Sequence, residues 1–146
     1  MLRQLLTIFA VLAGLLPSPV ALAATPDEAK EMAERAAQYL RDHGQDAAFA
    51  AIDDPQGPFR KGDLYVFVHD TTGLVRAHGG YATLIGRNTI RLTDVDGKPF
   101  VKEIVSIQDR GWVDYKWQNP ETKQLSEKTV YVIHIGDLLV CAGAYK

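Results

Sequence analysis

The sequence predicts an α+β domain: a five-stranded antiparallel sheet, a long N-terminal helix, and a further helix between the second and third strands. Three observations carry this reading. The apolar period changes from about 3.6 residues to about 2 after Gly62. The apolar runs beyond residue 110 are separated by Asn119-Pro120 and Gly136-Asp137, so neighbouring strands are joined by tight turns and pair antiparallel. The chain has 146 residues, 47% apolar and 23% charged, the size and balance of one globular domain.

The first 23 residues stand apart from that domain. Arg3 is the only charge before Asp27, and an apolar run over residues 5–16 follows it. Pro17 and Pro19 then break the run ahead of Ala21-Leu22-Ala23, a small-x-small cleavage pattern. This is the layout of a secretory signal, and the run is short of the roughly 20 residues a spanning helix needs. The expected mature chain is residues 24–146, a single domain in the periplasm or outside the cell.

Each element of the mature chain has its own signal. Thr25 can cap a helix, Pro26 suits its first position and Glu28 completes a capping box. Ala29, Met32, Ala33, Ala36 and Leu40 then share one face. Gly44 ends that helix, and a second short one fits residues 46–52 before Asp54-Pro55. Residues 64–69 read as a strand with apolar residues in both parities, so both faces are covered. Thr71-Thr72-Gly73 turns into a second strand at 74–78, and residues 79–97 are irregular. A helix runs from Pro99 to about Asp109, with Phe100, Val101, Ile104 and Val105 on one face. Strands follow at 111–118, 128–135 and 138–145. In the first of these, Val113, Tyr115 and Trp117 point one way, and Trp112, Asp114 and Lys116 the other.

Composition excludes several functions. With 16 Lys+Arg against 18 Asp+Glu the net charge is −2, which gives no basic stripe for a nucleic acid. One cysteine rules out an internal disulfide framework and a multi-thiolate zinc site. Cys141 sits in an apolar run and reads as a buried, inert thiol. Ser106 and Ser126 lack a nucleophile-elbow context, and no Gly-rich phosphate loop is present, so neither an enzyme nor a cofactor is expected. His43, His69 and His134 lack metal-ligand spacing. Asp94, Asp96, Gly97 and Glu103 fall at calcium-loop positions. However, Leu92 and Pro99 break that pattern, and a turn before a helix explains it more simply.

A resemblance adds to this. The runs Gly62-Asp63-Leu64-Tyr65-Val66-Phe67-Val68, Ala77-His78, Leu84-Ile85-Gly86-Arg87-Asn88, Gly111-Trp112-Val113-Asp114-Tyr115-Lys116-Trp117, Lys128-Thr129-Val130-Tyr131-Val132 and Gly143-Ala144-Tyr145, with residues 94–101 and Asn119-Pro120 between them, resemble a single Cache domain of the second type. Their order and spacing carry the likeness, which covers about residues 28–146. It implies a PAS-like extracytoplasmic sensor of the kind found in chemoreceptors and histidine kinases, binding a small molecule, often a short carboxylate, under the loops on one sheet face. Gly79 stands after His78 where the family often has proline.

The candidate ligand-binding residues are His78, Tyr115, Trp117, Lys128 and Tyr131. Aromatic walls with one cation suit a small carboxylate, because the rings exclude water and the ammonium gives charge-assisted bonds. Lys128 and Tyr131 differ in parity, so a bulge or a strand end is needed for both to reach one ligand. The same residues also fit a packed core at Tyr115 and Trp117, a solvated edge at Lys128 and a structural hydrogen bond at His78. The leading reading is a carboxylate-binding sensor or carrier acting with a membrane receptor or kinase. The rivals are a ligand-free module whose N-terminal helix pairs two copies, and a small periplasmic enzyme. Intact-mass analysis and N-terminal sequencing of exported protein should find Ala24 first; Met1 retained in a membrane fraction would refute the cleavage.

Overall fold

The computed structural model describes residues 14, 16, 17 and 22–146. Most of the expected signal segment therefore lies outside the described residues. No helix among those described is long and apolar enough to cross a membrane.

The chain opens with helix α1, Pro26–Asp53. The capping box forms as the sequence requires: Glu28 N–H donates to Thr25 Oγ1 (3.2 Å) and Thr25 N–H to Glu28 Oε2 (2.8 Å). Gly44 breaks the helical path at φ 81°, ψ 174°, so the two expected helical stretches form one bent element. Six strands follow: β1 (Arg60–Lys61), β2 (Leu64–Asp70), β3 (Val75–His78), β4 (Arg110–Gln118), β5 (Leu125–Ile135) and β6 (Leu138–Tyr145). Helix α2, Phe100–Ser106, lies between β3 and β4. All pairings are antiparallel, in the order β1-β2-β6-β5-β4, and β3 also pairs with β2. The five expected strands are all present. The sixth, β1, is too short for a period-2 signal to register. Helix α2 stops three residues before the expected Asp109, because β4 recruits Arg110 onward against β5.

Period-2 alternation divides the molecule into two cores. Leu64, Val66 and Val68 of β2, Tyr131 and Ile133 of β5, and Leu138, Val140 and Ala142 of β6 pack against α1. The interleaved Tyr65 and Phe67, Val130 and Val132, and Leu139, Cys141 and Tyr145 face the other way, toward α2. The α1 stripe Ala29, Met32, Ala33, Ala36 and Leu40 is spent in the first core. It is not an exposed surface on which a second copy could dock.

One irregularity shapes the second face. Pairing between β2 and β3 slips: Phe67 faces His78 and Val68 faces Ala77, but His69 faces Val75. Arg76 is the extra residue of a β-bulge. It puts Val75 on the α2 side although Ala77 faces α1.

Cys141 has no solvent exposure, and burial raises its thiol pKa strongly. A thiol reagent should therefore label it slowly in native protein and rapidly in denaturant. Equal rates in both conditions would contradict this packing.

Candidate functional site

The second face carries a cavity of about 20 Å³, roughly one water's worth of space. Sheet residues Tyr65, Phe67, His69, His78, Tyr115, Trp117 and Lys128 form its floor and walls. Leu84, Thr89 and Leu92 of segment 79–99, with Phe100 and Val101 of α2, form its roof. The roof is tied at both rims. Tyr81 Oη donates to Gln118 O (2.8 Å), Asn88 Nδ2 to Thr72 O (3.0 Å), and Thr89 N to Gly73 O (2.8 Å). Asp94 is part of the same tether: Oδ1 accepts from Asp96 N and Lys98 N, and Oδ2 from Lys116 N of β4. Its carboxylate is thus engaged by backbone N–H groups.

Lys128 is the unusual residue. It is 1% exposed, and none of the described ion pairs includes it. It shares the parity of Val130 and Val132, so its side chain points into the second core. Space for its stem comes from Gly143 on the adjacent β6: a Cβ there would lie 2.6 Å from Lys128 Cε and 2.7 Å from Val130 Cγ2. The ammonium sits 4.2 Å from the ring centre of Tyr65, 4.9 Å from Tyr145 and 5.1 Å from Phe67. Desolvation lowers its pKa to about 7, against weaker upward pulls from Cys141 and Asp63.

A hydrogen-bond chain holds it. Lys128 Nζ donates to Tyr65 Oη (2.9 Å), which lies 3.0 Å from Tyr145 Oη, and Tyr145 Oη donates to Gln118 O (2.9 Å). With Tyr145 donating onward, Tyr65 must donate to Tyr145, so every hydroxyl proton in the chain is assigned. An ammonium has three hydrogens and this chain uses one.

His78 has its tautomer set by the backbone. Nδ1 accepts from Gly80 N (3.1 Å) and Tyr81 N (2.8 Å), which puts the proton on Nε2. Burial first, then the Lys128 charge, lowers its pKa well below the usual histidine value, so the ring is neutral. It stacks on Phe67 at 5.3 Å. Gly80 allows this turn to approach closely: a Cβ there would lie 2.6 Å from the Tyr65 ring. Tyr115 stacks on Phe100 of α2 (4.0 Å, 12°), and Trp117 packs edge-on to Phe100 and Tyr81. His78, Tyr115, Trp117 and Lys128 are therefore brought together.

Tyr131 is not. It belongs to the α1 core, 4.8 Å from the ring of Trp112, with Lys30 Nζ 5.6 Å away. β5 runs through Lys128–Tyr131 without a bulge, so parity sends Tyr131 to the opposite face. Residues not singled out from the sequence complete the cavity, Tyr65, Phe67, His69, Thr89 and Phe100, with Tyr145 behind Tyr65. The odd parity of β2, Tyr65-x-Phe67-x-His69, was the available signal.

The comparisons with known proteins agree with this architecture. The family model for single Cache domain 2 matches residues 21–145, and the chain belongs to that family. A methyl-accepting chemotaxis protein from Vibrio parahaemolyticus is similar in structure (TM-score 0.71, 20% identity, covering 82% of this chain and 86% of that one). So is a Cache chemosensory domain described for its structural basis of carboxylic acid recognition (TM-score 0.69, 21% identity, 82% and 91% covered). The periplasmic sensor domain of a chemotaxis protein is also similar (TM-score 0.64, 23% identity, 82% and 88% covered). In sequence, the sensor histidine kinase MctS of Rhizobium johnstonii is 33% identical over 75 residues, which is 50% of this chain and 16% of that protein. The chain thus spans a small part of that kinase's length.

A lysine pKa depressed in the folded state means that the unfolded chain binds this proton more tightly. Stability should therefore rise as pH climbs from about 7 toward 10.5. Burial raises the pKa of Tyr65, Tyr115 and Tyr145, which pulls the other way above about pH 10. Urea unfolding of wild type and Lys128→Met isolates the lysine. The variant should be more stable by about 1–4 kcal/mol at pH 6, because it removes an unpaired buried charge. The gap should narrow by pH 9.5; a gap independent of pH would contradict the assignment.

Proposed function

We propose that this domain is an extracytoplasmic sensor module that binds a short organic carboxylate between the sheet and segment 79–99. The observation that carries this reading is the Lys128 side-chain nitrogen, buried against aromatic rings with no anion beside it. A buried charge costs several kcal/mol, and cation–π contacts return only about 2. A carboxylate is the partner such a site lacks. Lys128 offers two unspent N–H groups and His78 the Nε2–H, which together match a two-oxygen anion. Tyr115 and Trp117 supply the apolar wall for its carbon chain. The reading is also supported by family membership and by the similar domain described for carboxylic acid recognition.

A space of about 20 Å³ is smaller than even a two-carbon acid, so the ligand enters as the roof around Leu84 and Leu92 moves outward while Thr89 stays bonded to Gly73. The Tyr65–Tyr145–Gln118 chain then couples the occupied ammonium to the end of β6 and to the β4–β5 turn. A membrane receptor or kinase partner would read that change. The role is one of binding, after export and removal of residues 1–23.

A ligand restricted to the folded state stabilises it by about 2.7 kcal/mol at one hundred times its Kd, roughly a 10 °C rise for a domain of this size. A thermal-shift panel of acetate, propionate, lactate, pyruvate and dicarboxylates at fixed pH and ionic strength should contain at least one such response. Lys128→Met and Trp117→Ala should each abolish it while remaining folded by circular dichroism. No response from wild type, or a full response from both variants, would reject the site.

A further inference from the structure

One residue lining the cavity, His69, holds a polar atom without a partner. His69 lies on the same β2 face as Tyr65 and Phe67 and is 4% exposed. Its Nε2 is 3.0 Å from Thr89 Oγ1, and the Thr89 hydroxyl gives its one proton to Gly73 O at 3.2 Å. With the hydroxyl proton on Gly73 O, Thr89 Oγ1 accepts from His69 Nε2–H, and in that tautomer Nδ1 is a bare lone pair. That Nδ1 is the single buried side-chain nitrogen or oxygen without a hydrogen-bond partner among the described residues. Native structures rarely leave such an atom unpaired without a reason. Burial lowers the His69 pKa to about 4, so the ring stays neutral across the ordinary pH range and keeps one nitrogen without a proton.

The polar inventory of the cavity is thus unequal along its length. The Lys128 and His78 end offers N–H donors without partners, and the His69 end offers a nitrogen without one. Resting on the carboxylate reading above, we propose that the ligand is a hydroxy acid, its carboxylate at Lys128 and His78 and its hydroxyl donating to His69 Nδ1. A plain fatty acid leaves Nδ1 unpaired, and a 2-oxo acid brings a second lone pair toward it. A hydroxyl supplies the missing proton. Thr89 is the positioning residue, because its hydroxyl fixes the tautomer that exposes the acceptor.

Calorimetry with matched acids at pH 7 tests this: glycolate against acetate, lactate against propionate and pyruvate, and 3-hydroxybutyrate against butyrate. In at least one pair the hydroxy acid should bind wild type about tenfold more tightly than its plain partner, the scale of one buried hydrogen bond rescued. In His69→Phe the ratio within that pair should fall to near one. Thr89→Val should also reduce it, by freeing the ring to carry its proton on Nδ1, and this variant decides if His69→Phe does not fold. Plain acids that bind wild type as tightly as every hydroxy partner would overturn the proposal and leave the carboxylate reading intact. A preference that survives in both variants would overturn it too. If no acid binds, the carboxylate reading fails and this proposal fails with it.

Discussion

One buried positive charge organises the pocket half of this domain. Lys128 enters the core because β5 parity sends it there and because Gly143 leaves its stem room to cross β6. Once inside, it must be solvated by the protein. Tyr65 accepts from it, Tyr145 and Gln118 complete the chain, and three rings surround it. None of these groups carries a negative charge, so solvation remains incomplete. A domain selected only for stability would replace such a lysine with an apolar residue of equal length, since an uncompensated interior charge is a net cost. Under the carboxylate proposal, its presence is a stored electrostatic demand that an anion would meet.

The sheet separates this demand from the parts that keep the domain folded. The α1 side is filled by small and branched side chains, Ala29, Ala33, Ala36 and Ala37 against Val66, Val68 and Val140, which allow close helix–sheet approach. The other side is aromatic and polar, and its cover is an irregular segment tied by hydrogen bonds at its rims. Rim bonds of this kind open at lower cost than a packed helix. Stability and access thus occupy opposite faces of one sheet, and the Arg76 bulge lets β3 contribute Val75 and His78 to the accessible side.

Much of this was legible in the sequence because it rests on periodicity. The capping box at Thr25 and Glu28, the change of period after Gly62 and the Gly136-Asp137 turn are local signals with local causes. The antiparallel α+β class followed from them. The grouping of Tyr115 with Trp117 followed from parity alone, and parity also set Tyr131 against Lys128. What parity could not say is which face of β5 lies inside the pocket, since both faces of the sheet are covered. The burial of Lys128 was illegible for a different reason: lysine is mostly exposed, and only the neighbouring strand's Gly143 makes room for it. The His69 acceptor depended on a hydroxyl twenty residues away and on where that hydroxyl sends its proton. Such a relation exists only after the roof has folded over the sheet.

If Lys128 is a desolvated amine that a bound carboxylate would hold charged, its own titration reports on this most directly. Nuclear magnetic resonance of the lysine side chains, with Lys128 assigned by comparison to Lys128→Met, measures its pKa in free protein and at saturating ligand acid. The expected value is near 7 in the free domain, with a rise of at least one unit when the carboxylate is bound, because the anion restores the stabilisation that burial removed. A free-state pKa near 10.5, or a depressed value that the acid leaves unchanged, would contradict it.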